Sequence, residues 1–269
     1  MTRIASCLDS ARKEGRKALV AYIVNGDPYP QATLPTMHAM VAAGVDIIEL
    51  GVPFSDPMAE GPTIQLGHER SLEHGTSLHS SFELVKRFRE TNTDTPVVLM
   101  GYANPIERMG YANAAKAAAE SGVDGYLTVD LPPEEAANFD KELKAVDLNN
   151  IFLVAPTTTE ARSREILELA SGFVYYVSLK GVTGAGHLDT QEVNAKVAGL
   201  RAMADTPICV GFGIKDAESA KAVTAQADGA VVGSLLVNRM GELADAEPDE
   251  VASAVAELLK PIRTGLDEL

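Results

Sequence analysis

The residues best suited to chemistry are carboxylates that lie within and just after one short apolar run. Glu49 interrupts the run from Asp46 to Gly51, which we predict to be a buried strand. A buried carboxylate must be paired or neutralised, or its pKa moves, and such a group can serve as a general acid or base. Asp56 and Glu60 lie on the following loop, where prolines and glycines stop the strand. A structural ion pair beside an ordinary acidic loop is the alternative.

Three glycine-rich segments that follow later predicted strands are candidates for binding phosphate. They are residues 181–186 (GVTGAG), 211–214 (GFGI) and 233–234 (GS). Glycine lets backbone N–H groups approach an anion closely, and the N-terminus of a helix favours negative charge. A single turn of this kind is weak evidence, but three that meet at one end of a fold favour one phosphate group. Ordinary tight turns are the alternative.

The evidence for a functional role is weaker for other residues at predicted strand ends. Asp130 is a further acid/base candidate, although it can instead cap the next helix. The hydroxyl of Tyr102 is predicted to lie nearby, and only one of Tyr175 and Tyr176 can face inward because neighbouring strand residues point in opposite directions. Lys180 suits a Schiff-base aldolase, although a lysine that faces solvent is the simpler interpretation.

The remaining polar and aromatic residues predict no further site. We expect the five histidines on helix surfaces and predict no metal site, because their spacing does not match that of metal ligands. They are His38, His68, His74, His79 and His187. Four large apolar residues near strand ends can wall a pocket for a flat substrate or fill the core. They are Tyr22, Met100, Leu127 and Phe212.

These residues lie in a repeating pattern in which strand and helix alternate eight times. Each strand–helix unit contains roughly 30 residues. The predicted strands are apolar throughout, as parallel strands covered by helices require. The pattern predicts an α/β fold, a single-domain (β/α)₈ TIM barrel over residues 1–269 with an extra N-terminal helix at 2–15. A doubly wound sheet is the alternative, but residues 25–28 (NGDP) match its glycine-rich first turn poorly.

Composition excludes several classes of partner. The net charge of −15 argues against nucleic acid and against an anionic membrane surface. Cys7 and Cys209 lie far apart and give no disulfide framework, and we expect Cys209 to be a small buried residue. The first residues lack the apolar segment of a signal peptide, and no apolar run is long enough to span a bilayer. We therefore expect a cytoplasmic protein.

Residues 49–57 (ELGVPFSDP), followed by 61–65 (GPTIQ), resemble the signature of the tryptophan synthase alpha chain family. The resemblance extends over essentially the whole chain. Further matching segments occur in the expected order at 102–105, 130–132, 175–178, 181–184 and 211–214. The resemblance implies a lyase of tryptophan biosynthesis that cleaves indole-3-glycerol phosphate to indole and glyceraldehyde 3-phosphate by a retro-aldol reaction.

The resemblance also implies roles for individual residues. Glu49 matches the glutamate that shuttles protons as general acid and base. Glu60 matches an aspartate that stabilises charge at the indole N–H, so this chain keeps the carboxylate but makes it one methylene longer. Thr183 matches a closing loop, Tyr175 a tyrosine that faces the site, and Phe212 a wall of the indole pocket. The matches to phosphate ligands are Gly184, Gly213, Gly233 and Ser234.

A partner is implied as well. The family's beta chain carries pyridoxal phosphate, and the expected assembly is an alpha2-beta2 heterotetramer, so we predict no cofactor in this chain. Pro53 and Asp56, and the loop after Asn104, match the surface that contacts the beta chain. A Schiff-base aldolase that uses Lys180, a non-catalytic phosphate-binding subunit and a free-standing lyase are the alternatives.

Overall fold

The computed structural model describes residues 1–177, 190–211 and 213–269. Eight parallel strands form a closed barrel in chain order, and the last strand pairs with the first. They are β1 (Ala18–Val24), β2 (Ile47–Gly51), β3 (Val97–Gly101), β4 (Gly125–Thr128), β5 (Asn149–Val154), β6 (Val174–Val177), β7 (Ile208–Gly211) and β8 (Gly229–Val232). The predicted (β/α)₈ barrel is confirmed, and an open doubly wound sheet is excluded because closure leaves no free sheet edge.

Helices cover the outside of the barrel. Those in the described residues are α1 (Arg3–Lys13), α2 (Pro30–Ala42), α3 (Pro62–Glu73), α4 (Leu78–Arg89), α5 (Ala103–Met109), α6 (Tyr111–Ser121), α7 (Pro133–Ala145), α8 (Glu160–Leu169), α9 (Thr190–Arg201), α10 (Ala217–Thr224), α11 (Ser234–Glu242) and α12 (Pro248–Asp267). None of them combines the length with the apolar composition that crossing a membrane requires.

The buried apolar residues form two main cores, as alternation of side chains along each strand requires. The larger core lies between the sheet and the outer helices. The smaller one fills the barrel interior, where Ile4 and Leu8 of α1 pack against strand residues such as Val20 and Ile47. Helix α1 therefore closes the amino-terminal end of the barrel, which confirms the predicted extra helix. The single-domain boundary at 1–269 stays a prediction.

Three local predictions were wrong. Asn104 lies in the first turn of α5, not before a loop, because residues 103–109 form a short helix that buries Ile106. The sequence pattern predicts a final helix over about 248–260, but the helix continues past Pro261 to Asp267, since Ile262 and Leu266 are buried and extend its apolar face. The composition of the acidic segment 242–250 predicts a solvated linker, but the segment contains the end of α11 and the start of α12.

Candidate active site

A cavity of about 440 Å³ opens at the carboxyl ends of the strands. This is the end at which TIM-barrel enzymes place their sites, because the loops after the strands meet there. The cavity is lined by six of the residues predicted for the site: Glu49, Glu60, Tyr175, Gly213, Gly233 and Ser234. The structure thus brings together residues that are separated by as much as 185 positions in the chain.

Glu49 points into the barrel from β2, whereas its neighbours Ile48 and Leu50 pack in the outer core. Its side chain is almost fully buried, with 1% of its surface exposed. Neither carboxylate oxygen has a hydrogen-bond partner among the described residues. Burial, and next the nearby charge of Glu60, raise the pKa of Glu49 to about 8. Glu49 therefore holds a proton at neutral pH and is able to give it up, which suits a general acid and base.

Glu60 lies on the loop between β2 and α3, and this loop is held from two sides. The N–H of Ala59 donates to the hydroxyl oxygen of Tyr102 at 3.1 Å, and the side-chain amide of Gln65 donates to the backbone carbonyl of Glu60 at 2.9 Å. Burial raises the pKa of Glu60 to about 7. Tyr102, predicted to lie near the acids, thus fixes the loop that carries one of them.

Two tyrosines, Tyr22 and Tyr175, line the cavity, and each lies over a glycine. A methyl group at Gly51 would lie 2.4 Å from the hydroxyl oxygen of Tyr22, and one at Gly211 would lie 2.1 Å from that of Tyr175. Both positions therefore require glycine. Tyr175 packs with the barrel interior and Tyr176 with the outer core, so Tyr175 is the inward-facing member of the pair.

The part of the cavity wall formed by Gly213, Gly233 and Ser234 has features that suit an anion. Gly233 is the N-cap of α11, and Ser234 is the first residue of that helix. The first N–H groups of a helix have no partner within the helix, so they remain available to an anion. Gly213, at φ +43°, lines the same wall. Thr183, Gly184, Phe212 and Lys180 lie outside the described residues.

Several other predicted residues lie away from the cavity. A side-chain oxygen of Asp130 accepts the N–H of Ala103 at 2.7 Å, so Asp130 caps α5 and not the helix that follows it. Asp56 and Asn104 are exposed, whereas Pro53 is buried. Leu127 belongs to the interior core beneath the cavity, while Tyr22 and Met100 line its wall.

Sequence reasoning missed His68. We expected this residue on a helix surface, but only 2% of it is exposed. The N–H of Phe54 donates to its Nδ1 at 3.0 Å, and its Nε2 lies 3.4 Å from the hydroxyl oxygen of Tyr22. The signal was in the sequence, because Ile64, His68 and Ser71 occupy one helical face and all three are buried. Burial lowers the pKa of His68 to about 4, so the ring is neutral.

Other groups that often form sites are arranged differently. No cluster of three or more His, Cys, Asp or Glu side chains that could hold a metal ion occurs in the part of the chain that the structure describes. Both cysteines are free, and Cys209 is fully buried inside the barrel, as predicted.

The fold and the cavity together define a TIM-barrel enzyme in which two acids and the N-terminus of a helix line one cavity. The family model for the tryptophan synthase alpha chain matches residues 8–264. The tryptophan synthase alpha chain of Thioalkalivibrio sulfidiphilus is 56% identical over 99% of this chain and 100% of its own length. That of Alkalilimnicola ehrlichii is 54% identical over 100% of this chain and 98% of its own. The chain belongs to the tryptophan synthase alpha chain family.

Comparison with a solved structure supports the same family assignment. The crystal structure of tryptophan synthase subunit alpha from Legionella pneumophila superposes with a TM-score of 0.92 at 42% identity, and the match covers 100% of both chains. The resemblance seen in the segment 49–65 therefore extends to the whole barrel.

Proposed function

We propose that this chain is an alpha subunit that cleaves indole-3-glycerol phosphate to indole and glyceraldehyde 3-phosphate. One observation carries the proposal: Glu49 and Glu60 face the same cavity, and no Lys or Arg of the described residues forms an ion pair with either. Acids that are buried without a cation have raised pKa values and exchange protons near neutral pH. A retro-aldol cleavage that needs one proton donor and one proton acceptor suits this arrangement.

Glu49 supplies both proton transfers in this proposal. In its neutral form it donates a proton to indole C3, and the carboxylate that results accepts the proton of the glycerol hydroxyl next to the bond that breaks. The electrons of that O–H bond form the aldehyde carbonyl, and those of the carbon–carbon bond return to the indole ring. The two transfers restore neutral Glu49, so no proton is consumed.

Glu60 has the complementary role. Protonation at C3 places positive charge on the indole nitrogen, and a carboxylate beside the N–H stabilises that charge. Since the negative charge of Glu60 helps to keep Glu49 protonated, the working state has Glu60 ionised and Glu49 neutral. The longer side chain of Glu60, compared with the family's aspartate, is accommodated by the loop that Tyr102 and Gln65 hold.

The substrate's phosphate is assigned to the wall formed by Gly213, Gly233 and Ser234. Backbone N–H groups at the start of α11 carry the partial positive charge of the helix and can bind an anion without a basic side chain. Gly184 belongs to the same set by resemblance, as Thr183 does to the closing loop and Phe212 to the indole pocket. These three residues stay predictions.

A tryptophan synthase beta chain is the proposed partner. Asp56 and Asn104 are exposed at the same end of the barrel, and Met58 between them in sequence is 80% exposed. Pro53 is buried and shapes the loop from within. An alpha2-beta2 assembly, pyridoxal phosphate bound by the beta chain alone, and a cytoplasmic location complete the proposal.

The test is indole release from indole-3-glycerol phosphate by the purified chain, with and without a beta chain. We expect slow release alone and faster release with the partner. Glu60→Gln should lower the rate by roughly 100-fold because it removes a charge that stabilises the transition state, whereas Glu60→Asp should retain most of the rate. Glu69→Gln is the matched control, since Glu69 is an exposed carboxylate on the neighbouring helix.

Two outcomes would contradict the proposal. The first is a folded chain that releases no indole in either condition, which would favour the non-catalytic subunit if the chain still activates a beta chain. The second is substrate trapped on the protein by borohydride, which would favour the Schiff-base aldolase.

A further inference from the structure

A chain of hydrogen bonds connects the loop after β2 to the wall of the cavity. The backbone N–H of Phe54 donates to Nδ1 of His68 at 3.0 Å. On the other side of the ring, Nε2 of His68 lies 3.4 Å from the hydroxyl oxygen of Tyr22. Tyr22 and His68 are both buried, so these contacts are shielded from water.

The direction of each bond follows from the first. A backbone N–H can only donate, so Nδ1 of His68 must be the acceptor and carries no proton. In the neutral ring the proton is then on Nε2, which donates to the hydroxyl oxygen of Tyr22. The lowered pKa of His68, caused by burial, agrees with a neutral ring. Because Tyr22 accepts this bond, its own O–H is left to donate to a different acceptor.

The place of Tyr22 indicates which acceptor that is. Tyr22 on β1 pairs in register with Glu49 on β2, and both side chains line the cavity. The ring of Tyr22 runs from Gly233, where an added methyl would lie 3.3 Å from it, to Gly51, where the hydroxyl oxygen lies. Gly51 is two residues beyond Glu49 on the same face of the strand.

Glu49 lacks a hydrogen-bond donor, which the hydroxyl of Tyr22 can provide. Neither oxygen of Glu49 accepts a hydrogen bond from the described residues, although both are buried. A carboxylate without a donor in such a place is costly, and a hydroxyl that cannot ionise is a suitable donor. Burial, with the charges of Glu60 and Glu49 as further causes, raises the pKa of Tyr22 well above its ordinary value, so Tyr22 keeps its proton.

We propose that Tyr22 is a positioning residue for Glu49, with its hydroxyl oriented by His68 so that it donates a hydrogen bond to the ionised carboxylate. This rests on the proposed function, in which Glu49 becomes ionised only after it has protonated indole C3. The hydrogen bond stabilises that short-lived carboxylate and holds it for the second proton transfer. The other titratable groups close to Glu49 are Glu60, Tyr175 and Cys209.

The first readout is the titration of Glu49, followed by ¹³C NMR of the side-chain carboxyl and assigned with Glu49→Gln. Tyr22→Phe should raise the pKa of Glu49, because a hydrogen bond to the ionised form favours ionisation and its loss does the reverse. Tyr126→Phe is the matched control, since Tyr126 has a buried hydroxyl that lies outside this cavity and has no partner among the described residues.

The second readout is catalysis. Tyr22→Phe should lower kcat for indole release by about tenfold with little change in KM, because the hydrogen bond is made only after the proton has moved. His68→Leu should reproduce the effect, and the double variant should be no worse than Tyr22→Phe alone, since both changes remove one interaction. His68→Gln, which keeps an N–H donor near the position of Nε2, should restore much of the rate.

The proposal is overturned if Tyr22→Phe leaves the titration of Glu49 unchanged, if the effects of the two single changes add, or if only Tyr175→Phe shifts the titration. A wild-type chain that releases no indole would count against the proposed function instead. The NMR titration would still decide whether Tyr22 donates to Glu49, so the two failures are distinguishable.

Discussion

Carboxylates shielded from water occur at both ends of the barrel, but the two acids of the cavity lack the cations that the others have. At the amino-terminal end Asp46, Asp124 and Asp228 stand just before β2, β4 and β8, and arginines surround them. At the carboxyl-terminal end Asp27, just after β1, is likewise paired with Arg70. Glu49 and Glu60, which line the cavity, have no cation within ion-pair distance among the described residues. The same functional group is thus structural where an arginine reaches it and available for proton transfer in the cavity.

Both carboxylate oxygens of Asp124 accept hydrogen bonds. One of its oxygens accepts the N–H of Val97 at 2.8 Å and a guanidinium N–H of Arg89 at 2.7 Å, while the other accepts from Arg3 at 2.9 Å. Asp46 and Asp228 likewise each accept a backbone N–H from the preceding strand of the barrel. These aspartates fix the starts of neighbouring strands, and their lone pairs are occupied.

The cavities at the two ends of the barrel are similar in volume. A cavity of about 460 Å³ borders Asp124 and Arg3, compared with about 440 Å³ around Glu49. The difference lies in the charge balance of the walls. A carboxylate with a cation keeps its charge, whereas one without a cation can exchange a proton near neutral pH.

The largest expected effect comes from removing the unpaired acid. Glu49→Gln should reduce the rate of indole release by about 1,000-fold, because general acid and base catalysis is lost. The free energy of unfolding at pH 5 should hardly change, since neutral glutamate and glutamine are similar in size and polarity. Indole assays and urea denaturation measure the two effects. Loss of stability together with activity would mean that Glu49 is structural after all.

Removing a paired acid should lower the stability of the fold and leave the rate of indole release nearly unchanged. Asp124→Asn should lower the free energy of unfolding by about 3 kcal/mol, because Arg89 is left buried without its countercharge. The rate of indole release by the folded protein should stay within twofold of the wild type. Glu120→Gln is the control, since its ion pair with Lys116 is exposed and should contribute less than about 0.5 kcal/mol. A large loss of rate in Asp124→Asn would mean that a paired acid also contributes to catalysis.

The pH dependence of stability should distinguish the two kinds of acid. The pKa of Glu49 rises on folding from an ordinary 4.5 to about 8, so the folded state binds more protons between these values. Stability from this group is therefore complete below pH 4.5 and is lost as the pH rises to 8. Glu49→Gln removes this loss, and its unfolding free energy relative to wild type should rise by about 3.5 kcal/mol from pH 5 to pH 8.

Urea denaturation across this pH range measures that difference. Glu60, whose pKa is also raised by burial, is present in both proteins, so that effect of burial cancels in the comparison. Glu69→Gln, which removes an exposed carboxylate, should show no such rise. A flat difference for Glu49→Gln would show that Glu49 titrates normally in the folded state.

The smallest effect is expected for an exposed acid. Asp56→Asn should change the free energy of unfolding by less than about 0.5 kcal/mol, because Asp56 is exposed and its carboxylate accepts a hydrogen bond from the neighbouring Ser55 side chain. It should weaken binding of a beta chain several-fold, as calorimetric titration would measure. Asp9→Asn, an exposed acid at the far end of the barrel, should leave that affinity unchanged. Equal effects of the two changes would place the partner surface elsewhere.

The eight-fold alternation of apolar strands and helices was sufficient to predict the barrel, because each strand is covered on both faces and is therefore mainly apolar. It was also sufficient to place Glu49 on a buried strand. The short helix α5 was missed because Pro105 and its small size hide the helical period. His68 was missed because one polar residue on an apolar helical face was assigned to the surface.

The order of residues along the chain specifies where acids and glycines follow strands, and hence which residues meet at each end of the barrel. Which of the acids are neutralised depends on contacts between distant parts of the chain. Asp46 and Glu49 are three residues apart, yet Asp46 pairs with Arg263, 217 residues further along the chain, at 2.9 Å. That pairing exists because α12 packs on α2 beside the start of β2, whereas Glu49 points into an interior of apolar and hydroxyl-bearing side chains, where no arginine of the described residues reaches it.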